Sequence, residues 1–383
     1  MIGSVASAAQ MPLNVLLGGC AGTDMGAMVS GIQIDSRKVR AGDLFLAIPG
    51  EMHDGRQFIE QAVASGAAAV LAEPPVAGFV DAIPVPMIEI PDLQMEAGVI
   101  ASRFYGQPSA DMHMIGVTGT NGKTTTSRLI AQLVRRLGEQ CGVIGTLGAT
   151  LTEEVGESGN TTPDPVALQQ QLAAWRDAGV VAVSMEVSSH ALVQGRVNGV
   201  LFETAVYTNL SRDHLDYHGS MDAYGRAKLK LFASEGLQHA VINLDDDYAL
   251  QVQQVLAAGV HRLGYSTQGK SGADLWIDQA SFHAGGVTAR MHSPWGSADF
   301  DSPLPGDFNL GNLAAAVASV VLAGQEFEAA LHAVSSLKPV PGRMQSIAND
   351  AGLQVIIDYA HTPDALEHVL KALRNHVPGK LVT

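Results

Sequence analysis

The segment of the chain with the clearest chemistry is a glycine-rich run that ends in a lysine and several threonines, Gly116-Val117-Thr118-Gly119-Thr120-Asn121-Gly122-Lys123-Thr124-Thr125-Thr126. Glycines let backbone N–H groups close around phosphate oxygens, and the N-terminus of a following helix adds the positive end of a dipole. The lysine can then reach terminal phosphates, and the Thr124 hydroxyl can bind Mg²⁺. The run lies between a strand-like and a helical pattern, so it predicts a phosphate-binding loop, although Val117 departs from the Gly or Ala of the usual consensus.

A carboxylate, Glu186, lies near the end of an apolar run from Val180 to Val187. In an open parallel sheet, ligands bind beyond the carboxyl ends of the strands. A carboxylate there is a suitable Mg²⁺ ligand. The alternative is a structural glutamate that caps a neighbouring helix.

Histidines and aspartates are concentrated between residues 213 and 218, in the order Asp213-His214-Leu215-Asp216-Tyr217-His218. Zinc is one interpretation, but no cysteine or further histidine lies at the spacing of a structural zinc site. The oxygen-rich neighbours favour a magnesium site with one histidine ligand. His218 is left without a role. The helical pattern from Tyr224 to Phe232, taken alone, indicates a surface helix whose lysines extend along apolar neighbours.

These residues need a sheet to position them, and apolar strand-like runs alternate with helical patterns at Met114–Thr118, Gly142–Gly145, Val180–Val187, Thr204–Thr208 and Ala240–Leu244. The alternation predicts an α/β protein with a parallel sheet and crossover helices. Before it, a small α/β unit with a strand at Gly42–Ile48 ends near Pro108.

A second boundary is predicted at Lys338–Gly342, where two prolines interrupt the pattern. A strand at Leu353–Asp358, a helix at Pro363–Asn375 and the first residues of a strand at Lys380–Thr383 should follow. So short a stretch cannot complete a nucleotide-binding fold. We therefore expect either a truncated chain or a domain completed by something else.

Composition limits the class of protein. The chain has 383 residues, 46% of them hydrophobic, which suits two or three globular domains. A net charge of −15 argues against a general nucleic-acid binder. The cysteines, Cys20 and Cys141, provide no disulfide framework and are expected to be buried thiols of a cytoplasmic protein. No basic residue precedes Arg37, so a signal sequence ending at Cys20 is not expected, and Leu313–Gly324 is too short to span a membrane.

The order of the motifs resembles the Mur ligase family of bacterial cell-wall synthesis. The stretches that carry the resemblance cover nearly the whole chain: Asp35-Ser36-Arg37, the phosphate loop, Asn160-Thr161-Thr162-Pro163-Asp164, the Glu186 strand, His214–Gly219, Phe308–Asn312, Pro341–Met344 and Asp358–Leu366. The loop Thr-Gly-Thr-Asn-Gly-Lys-Thr-Thr also resembles folylpolyglutamate synthetases. The segments His214–Gly219 and Asp35–Arg37 favour the Mur ligases, and among them the members that add the third residue of the peptide.

The resemblance implies three domains: residues 1–108 for the UDP-substrate, 109–338 for ATP hydrolysis, and 339–383 as the start of a nucleotide-fold domain for the incoming amino acid. It assigns ATP to Gly119, Thr120, Asn121, Gly122, Lys123, Thr124, Thr125, Asn309, Asn312, Arg343, Asp358 and His361. In these enzymes Asn309 and Asn312 would face the adenine and Asp358 the ribose. The UDP-substrate would contact Ile34, Ser36, Asn160, Thr161, Thr162, Ser188, Gln194 and Arg196, with Ser36 at the uridine end.

The catalytic residues implied by the resemblance are Lys123, Glu186, His214 and Lys228. Lys228 aligns with a lysine that is carbamylated in such enzymes (N6-carboxylysine). As an anionic oxygen ligand it could join Thr124, Glu186 and His214 in holding Mg²⁺, whereas Lys230 would be an ordinary helix lysine.

The implied reaction joins meso-diaminopimelate to UDP-N-acetylmuramoyl-L-alanyl-D-glutamate through an acyl-phosphate, at the expense of ATP, in a cytoplasmic monomer. The alternatives are an L-lysine-adding or other Mur ligase, a folylpolyglutamate synthetase, or a catalytically incomplete nucleotide-binding module. Family members select the amino acid with an Asp-Asn-Pro-Arg-like motif, which does not occur in this sequence.

Overall fold

The computed structural model describes residues 10–18, 26–50, 53–78, 83–156, 159–283, 285–347, 355–361, 363–376 and 379–383. Every predicted site residue lies within these ranges. Cys20 and Leu353 lie outside the described residues.

The strands in the described part of the chain are β1 (Met11–Pro12), β2 (Met28–Val29), β3 (Gly31–Gln33), β4 (Asp43–Ala47), β5 (Ala69–Ala72), β6 (Met87–Glu89), β7 (His113–Thr118), β8 (Cys141–Gly145), β9 (Gly148–Thr150), β10 (Ala182–Glu186), β11 (Thr204–Tyr207), β12 (His239–Asn243), β13 (His261–Ser266), β14 (Leu275–His283), β15 (Gly286–Ser293), β16 (Gly296–Ser302), β17 (Gln345–Ile347) and β18 (Val355–Ile357).

The helices in the same ranges are α1 (Leu13–Leu16), α2 (Ile59–Ala64), α3 (Leu93–Phe104), α4 (Lys123–Arg136), α5 (Pro165–Asp177), α6 (Ser189–Val193), α7 (Leu215–His218), α8 (Met221–Phe232), α9 (Ala249–Gln254), α10 (Phe308–Leu322), α11 (Phe327–Ala333) and α12 (Pro363–Arg374). None of the helices that the structure describes has both the length and the apolar character needed to cross a membrane.

The chain forms two compact units. The first contains Met1–Asp111, Pro163–Ala178 and Val193–Val200. Its sheet has the order β3-β4-β5-β6, all parallel, and β4 and β5 are fully buried because their residues are almost all apolar. Helix α5 belongs to this unit, and its first turn is capped by the Asp164 carboxylate, which accepts from the N–H groups of Val166 and Ala167.

The second unit contains Met112–Thr162, Gly179–Leu192 and Leu201–Thr383. Among the described residues its large sheet has the order β16-β15-β14-β13-β12-β11-β7-β10-β8-β9. The predicted parallel strands are confirmed as β7, β8, β10, β11 and β12. The sequence did not reveal that antiparallel strands extend this sheet, with β9 beyond β8 and β15 and β16 beyond β14.

The chain order reverses around β7 in this sheet. From β7 the chain passes to β8 on one side, returns to β10 between them, and continues to β11 on the other side of β7. Helices α4 and α10 cover one face, and their apolar residues form one core with the strands, including Leu129, Leu133, Leu313 and Val317. Such a reversal leaves a crevice beyond the carboxyl ends of the strands, where ligands bind in open α/β sheets.

The predicted boundary near Lys338 is followed by β17 and β18, which pair antiparallel, and by α12. The helix agrees with the predicted range, and β18 lies within the predicted strand. The strand predicted at Lys380–Thr383 is wrong, because no strand is assigned to these described residues. An extended segment becomes a strand only where a neighbouring strand completes its hydrogen bonds.

The opposite, amino-terminal edge of the large sheet carries a row of ionisable side chains. His113 Nδ1 lies 2.6 Å from a carboxylate oxygen of Glu203, and the rings of His239 and His261 meet edge to face with 5.8 Å between centroids. Burial lowers the pKa of His239, and the neighbouring His261 lowers it further, while Glu203 opposes both effects.

This lowered pKa predicts a pH-dependent stability. In the unfolded chain His239 binds its proton at a higher pH, near 6.5. The unfolded state therefore takes up more protons than the folded state as the pH falls, and the folded state loses free energy of unfolding. We expect the free energy of unfolding of His239→Gln, measured by urea denaturation, to fall less steeply between pH 7.5 and 5.5. The number of protons taken up on unfolding, which sets this slope, should decrease by a fraction of one proton. The matched change at the exposed His332 should leave the dependence intact, and equal slopes for both variants would contradict the assignment.

Candidate active site

A cavity of about 660 Å³ lies in the second unit at the carboxyl ends of the parallel strands. Most of the sequence-predicted site residues of this unit line it: Thr120, Asn121, Gly122, Lys123, Thr124, Thr125, Thr161, Glu186, Ser188, His214, Lys228, Asn312, Arg343, Asp358 and His361. Residues that are far apart in the sequence thus share one site.

The phosphate loop connects β7 to α4 and is held by the segment after β11. A side chain at Gly119 would place its Cβ 1.9 Å from the Thr208 hydroxyl, so only glycine fits. The side chain of Asn209 holds the backbone of Asn121 at two points. The Asn209 amide oxygen accepts from the Asn121 N–H at 2.9 Å, and the Asn209 amide nitrogen donates to the Asn121 carbonyl at 3.1 Å. Asn209 is absent from the sequence prediction, and its position directly after a strand was the available signal.

The ammonium group of Lys123 lies inside this loop. It donates to the carbonyls of Gly119 and Thr120, both at 2.8 Å. Burial lowers the pKa of Lys123, and the nearby carboxylates of Glu186 and Asp213 oppose that effect. A phosphate entering the loop would meet this amine and the N–H groups at the start of α4.

Glu186 ends β10 as a buried carboxylate with 1% of its surface exposed. Its two oxygens accept from the Thr124 hydroxyl at 2.9 Å, the Thr146 N–H at 2.8 Å and the Thr146 hydroxyl at 3.1 Å. A Cβ at Gly145 would lie 2.1 Å from the carboxylate, so glycine is required beside it. A helix-capping role is therefore wrong for Glu186. The sequence prediction missed Thr146, although it follows the neighbouring strand β8.

Lys228 is only 1% exposed, so the surface position that the helical pattern alone indicated is wrong for this residue. The Lys228 amine donates to the Gly119 carbonyl at 2.8 Å and lies 4.3 Å from the centre of the Tyr224 ring. Burial, reinforced by the charge of Lys123, holds the pKa of Lys228 well below its ordinary value. Lys230, in contrast, donates to the Leu192 carbonyl and does not line the cavity.

His214 precedes the short helix α7 with a positive φ of 51°. Its side chain is 46% exposed and lies 3.4 Å from the Asp213 carboxylate. The rings of His190 and Tyr224 meet it edge to face. His218 pairs with the Ser189 hydroxyl at 2.9 Å, and burial lowers its pKa.

Among the described residues, no three His, Cys, Asp or Glu side chains are grouped so that they could hold a metal ion on their own. The predicted magnesium ligands are of a different type, because they combine one carboxylate and one histidine with a hydroxyl and a modified lysine.

The residues after the second boundary reach the same cavity. A guanidinium nitrogen of Arg343 donates to the Thr124 hydroxyl at 3.4 Å, and the guanidinium lies over the Tyr359 ring at 4.8 Å. The Asp358 carboxylate is fixed by the N–H groups of Met344 and Ala360, both at 2.8 Å. His361 is exposed at the cavity.

The two predicted adenine residues have different environments. Asn312 lines the cavity, where its amide oxygen accepts from the Thr126 hydroxyl. Asn309 is not a lining residue; its amide oxygen accepts from Asn312 at 2.9 Å and its amide nitrogen donates to Pro305. Asn309 thus braces Asn312.

The predicted substrate residues are divided between the units. Thr161 and Ser188 line the cavity, and the buried Thr162 hydroxyl donates to the Glu186 backbone carbonyl at 2.9 Å. Asn160 is exposed and is not among the lining residues. Four others belong to the first unit: Ile34, Ser36, Gln194 and Arg196. There the Ser36 hydroxyl donates to the Gln61 side chain at 3.0 Å.

Comparison with known families gives three consecutive matches along the chain. Residues 28–105 match the Mur ligase family catalytic domain, 117–320 the Mur ligase middle domain, and 342–383 the Mur ligase glutamate ligase domain. The middle-domain match includes the phosphate loop, Glu186, His214 and Lys228.

Individual relatives agree with these matches. The chain is 48% identical over 372 residues to the UDP-N-acetylmuramoyl-L-alanyl-D-glutamate--2,6-diaminopimelate ligase of Ectopseudomonas mendocina, covering 97% of this chain and 75% of the relative. A solved structure with the same enzyme name has a TM-score of 0.85 at 38% identity and covers 96% of this chain and 75% of its own. A Mycobacterium tuberculosis folylpolyglutamate synthase shares the fold, with a TM-score of 0.60 at 20% identity over 74% of this chain and 70% of its own. The predicted family and fold class are confirmed: the chain belongs to the Mur ligase family.

Proposed function

We propose that the chain is an ATP-dependent ligase that adds meso-diaminopimelate to UDP-N-acetylmuramoyl-L-alanyl-D-glutamate in peptidoglycan synthesis. The observation that carries the proposal is the cavity where Lys123, inside a phosphate loop, lies in the same site as the buried pair of Thr124 and Glu186. The names and identity of the relatives support the choice of substrates.

ATP is proposed to bind with its phosphates in the loop. The N–H groups of the loop and Lys123 would contact the phosphates, because they are the nearest positive groups. Asn312, braced by Asn309, is proposed to face the adenine, and Asp358 the ribose. Arg343 and His361 would contact the nucleotide from the C-terminal segment, as their positions at the cavity support.

The residues of this cavity suit Mg²⁺. Glu186 and Thr124 are hard oxygen ligands, and the Glu186 carboxylate is oriented by hydrogen bonds from Thr124 and Thr146. When bound, Mg²⁺ would neutralise the charge between two reacting anions. His214 is the proposed nitrogen ligand.

Lys228 is proposed to carry a carbamate and to supply further oxygen ligands. Carbamate formation requires an uncharged amine, and the lowered pKa of Lys228 increases that fraction. Its burial against Gly119 also places the modified side chain next to the phosphate loop.

The proposed reaction has two steps. The glutamate carboxylate of the UDP-substrate attacks the ATP γ-phosphorus, which releases ADP and gives an acyl-phosphate. The uncharged amine of meso-diaminopimelate then attacks the acyl carbon, the bond from this carbon to the phosphate oxygen breaks, and the nitrogen loses one proton to solvent as the amide forms. Lys123 lowers the repulsion between carboxylate and γ-phosphate, and exclusion of water from the cavity would limit hydrolysis of the intermediate.

The UDP-substrate is proposed to contact Ile34, Ser36, Asn160, Thr161, Thr162, Ser188, Gln194 and Arg196. The corresponding domains are residues 1–108, 109–338 and 339–383. Supporting this division, the three family matches cover 28–105, 117–320 and 342–383.

Phosphate release from Mg²⁺-ATP tests the proposal. We expect release to require UDP-N-acetylmuramoyl-L-alanyl-D-glutamate and to rise when meso-diaminopimelate is added, with L-lysine and a dihydropterin substrate as comparisons. If L-lysine or the dihydropterin substrate stimulated phosphate release instead, the proposed substrates would be wrong. No release despite binding of the UDP-substrate would identify a catalytically incomplete nucleotide-binding module.

A further inference from the structure

The Glu186 carboxylate is connected by hydroxyl groups to Thr161, on another part of the cavity wall. The Thr146 hydroxyl lies 3.1 Å from a Glu186 oxygen and 3.2 Å from the Thr161 hydroxyl. The Thr124 hydroxyl reaches the same Glu186 oxygen at 2.9 Å. Thr124 therefore connects through Glu186 and Thr146 to Thr161, and Thr146 is the central link.

The donor and acceptor of each hydrogen bond in this series can be assigned by starting from the Glu186 carboxylate. An ionised carboxylate only accepts, so the single proton of the Thr146 hydroxyl is donated to Glu186. Thr146 can then only accept from Thr161, whose own proton is used in that bond. The Thr161 oxygen consequently offers lone pairs, and no proton, to a molecule in the cavity. A carbonyl of a ligand would be disfavoured there, and an N–H or O–H donor would be favoured.

We propose that Thr146 is a positioning residue that couples the nucleotide site to the site of the UDP-substrate. The proposal rests on the proposed function, which places Mg²⁺-ATP at Thr124 and Glu186 and the UDP-substrate at Thr161. A ligand at Glu186 or at Thr161 fixes the orientation of the side chain that it contacts. The hydrogen bonds of Thr146 then restrict the orientation of the side chain at the other site. The second ligand then meets groups that are already oriented, so each ligand tightens binding of the other.

The test compares dissociation constants of UDP-N-acetylmuramoyl-L-alanyl-D-glutamate with and without saturating Mg²⁺ and β,γ-methylene-ATP, by calorimetry. For the unaltered chain the nucleotide should tighten binding by about fivefold or more. Thr146→Val keeps the shape and the backbone N–H but removes the hydroxyl, so the ratio should fall to about one. Thr146→Ser should restore it.

The ratio separates loss of coupling from a purely structural defect. A fold that opens reversibly would raise the ratio, because saturating nucleotide restores the folded state and so tightens binding of the UDP-substrate, whereas loss of coupling lowers the ratio. Thr150→Val is the matched control, since the Thr150 hydroxyl bonds Thr152 in the same hairpin and does not line the cavity. If Thr146→Val does not fold, Thr146→Ala and Thr161→Val remove the same hydrogen-bond link, and for each of them the ratio of dissociation constants should also fall to about one.

Two failures can be distinguished. If the unaltered chain binds neither the UDP-substrate nor the nucleotide, the proposed function fails and the coupling with it. If it binds both, but without mutual tightening, or if Thr146→Val retains the full ratio, the coupling proposal is overturned and the proposed function stands.

Discussion

The Lys123→Ala variant is expected to release phosphate from ATP about 10²–10³-fold more slowly than the unaltered chain, or not detectably. The Lys123 ammonium lies within the phosphate loop, bonded to the Gly119 and Thr120 carbonyls, where a phosphate would meet it. A positioned, buried charge stabilises the developing charge far more than one in water does. Steady-state phosphate release with both proposed substrates present measures the effect.

The fold of this variant should remain intact, because burial of the amine is unfavourable, as its lowered pKa indicates. Thermal unfolding of Lys123→Ala should therefore match that of the unaltered chain. Lys230→Ala is the control, since Lys230 donates to the Leu192 carbonyl and is not a lining residue of the cavity, and its rate should be nearly unchanged. A Lys123→Ala rate close to that of Lys230→Ala would contradict the role of Lys123 and the ligase assignment.

The second large effect is expected for Glu186→Gln. We expect turnover to fall by about 10²-fold, and the Mg²⁺ concentration that gives half-maximal rate to rise. The amide removes the negative charge while keeping the size of the side chain. It also places an NH₂ group among donors from Thr124 and Thr146, which should cost about 1–3 kcal/mol of unfolding free energy. Magnesium titrations of the initial rate test the metal role separately from stability.

Glu153→Gln provides the matched control for this change. Glu153 pairs with Arg136 at 2.8 Å and Lys338 at 2.7 Å and does not line the large cavity. Its loss should leave the magnesium dependence unaltered. If Glu186→Gln had the same half-maximal Mg²⁺ concentration as the unaltered chain, Glu186 would not be a metal ligand.

The phosphate loop shows what a local motif can predict. Its glycines, lysine and threonine lie within six residues, from Gly119 to Thr124, and the strand before the loop and the helix after it are formed by neighbouring residues. The loop therefore carries most of its own geometry. The sequence also predicted at which edge of the sheet Glu186 and His214 lie. Glu186 ends one apolar strand and His214 comes after another, and the carboxyl ends of parallel strands share an edge.

Lys228 shows where the sequence alone fails. Helical periodicity identifies which residues share a face of α8. Which part of the protein packs against that face depends on the strand order. In the fold the covering group is the Gly119 carbonyl, far away in the chain. The resemblance to a family suggested a role for Lys228, whereas the physical pattern of α8 indicated a solvated lysine.

The sequence by itself determined the family, the alternation of strands and helices, and the residue types available for phosphate and cation binding. The tertiary structure decided which of them meet: Thr146 beside Glu186, Asn209 on the phosphate loop, and Asn312 rather than Asn309 at the cavity wall. It also placed α5 in the first unit and extended the sheet with antiparallel strands. Local propensities act over a few residues, whereas these contacts join distant segments and depend on the order in which the strands pair.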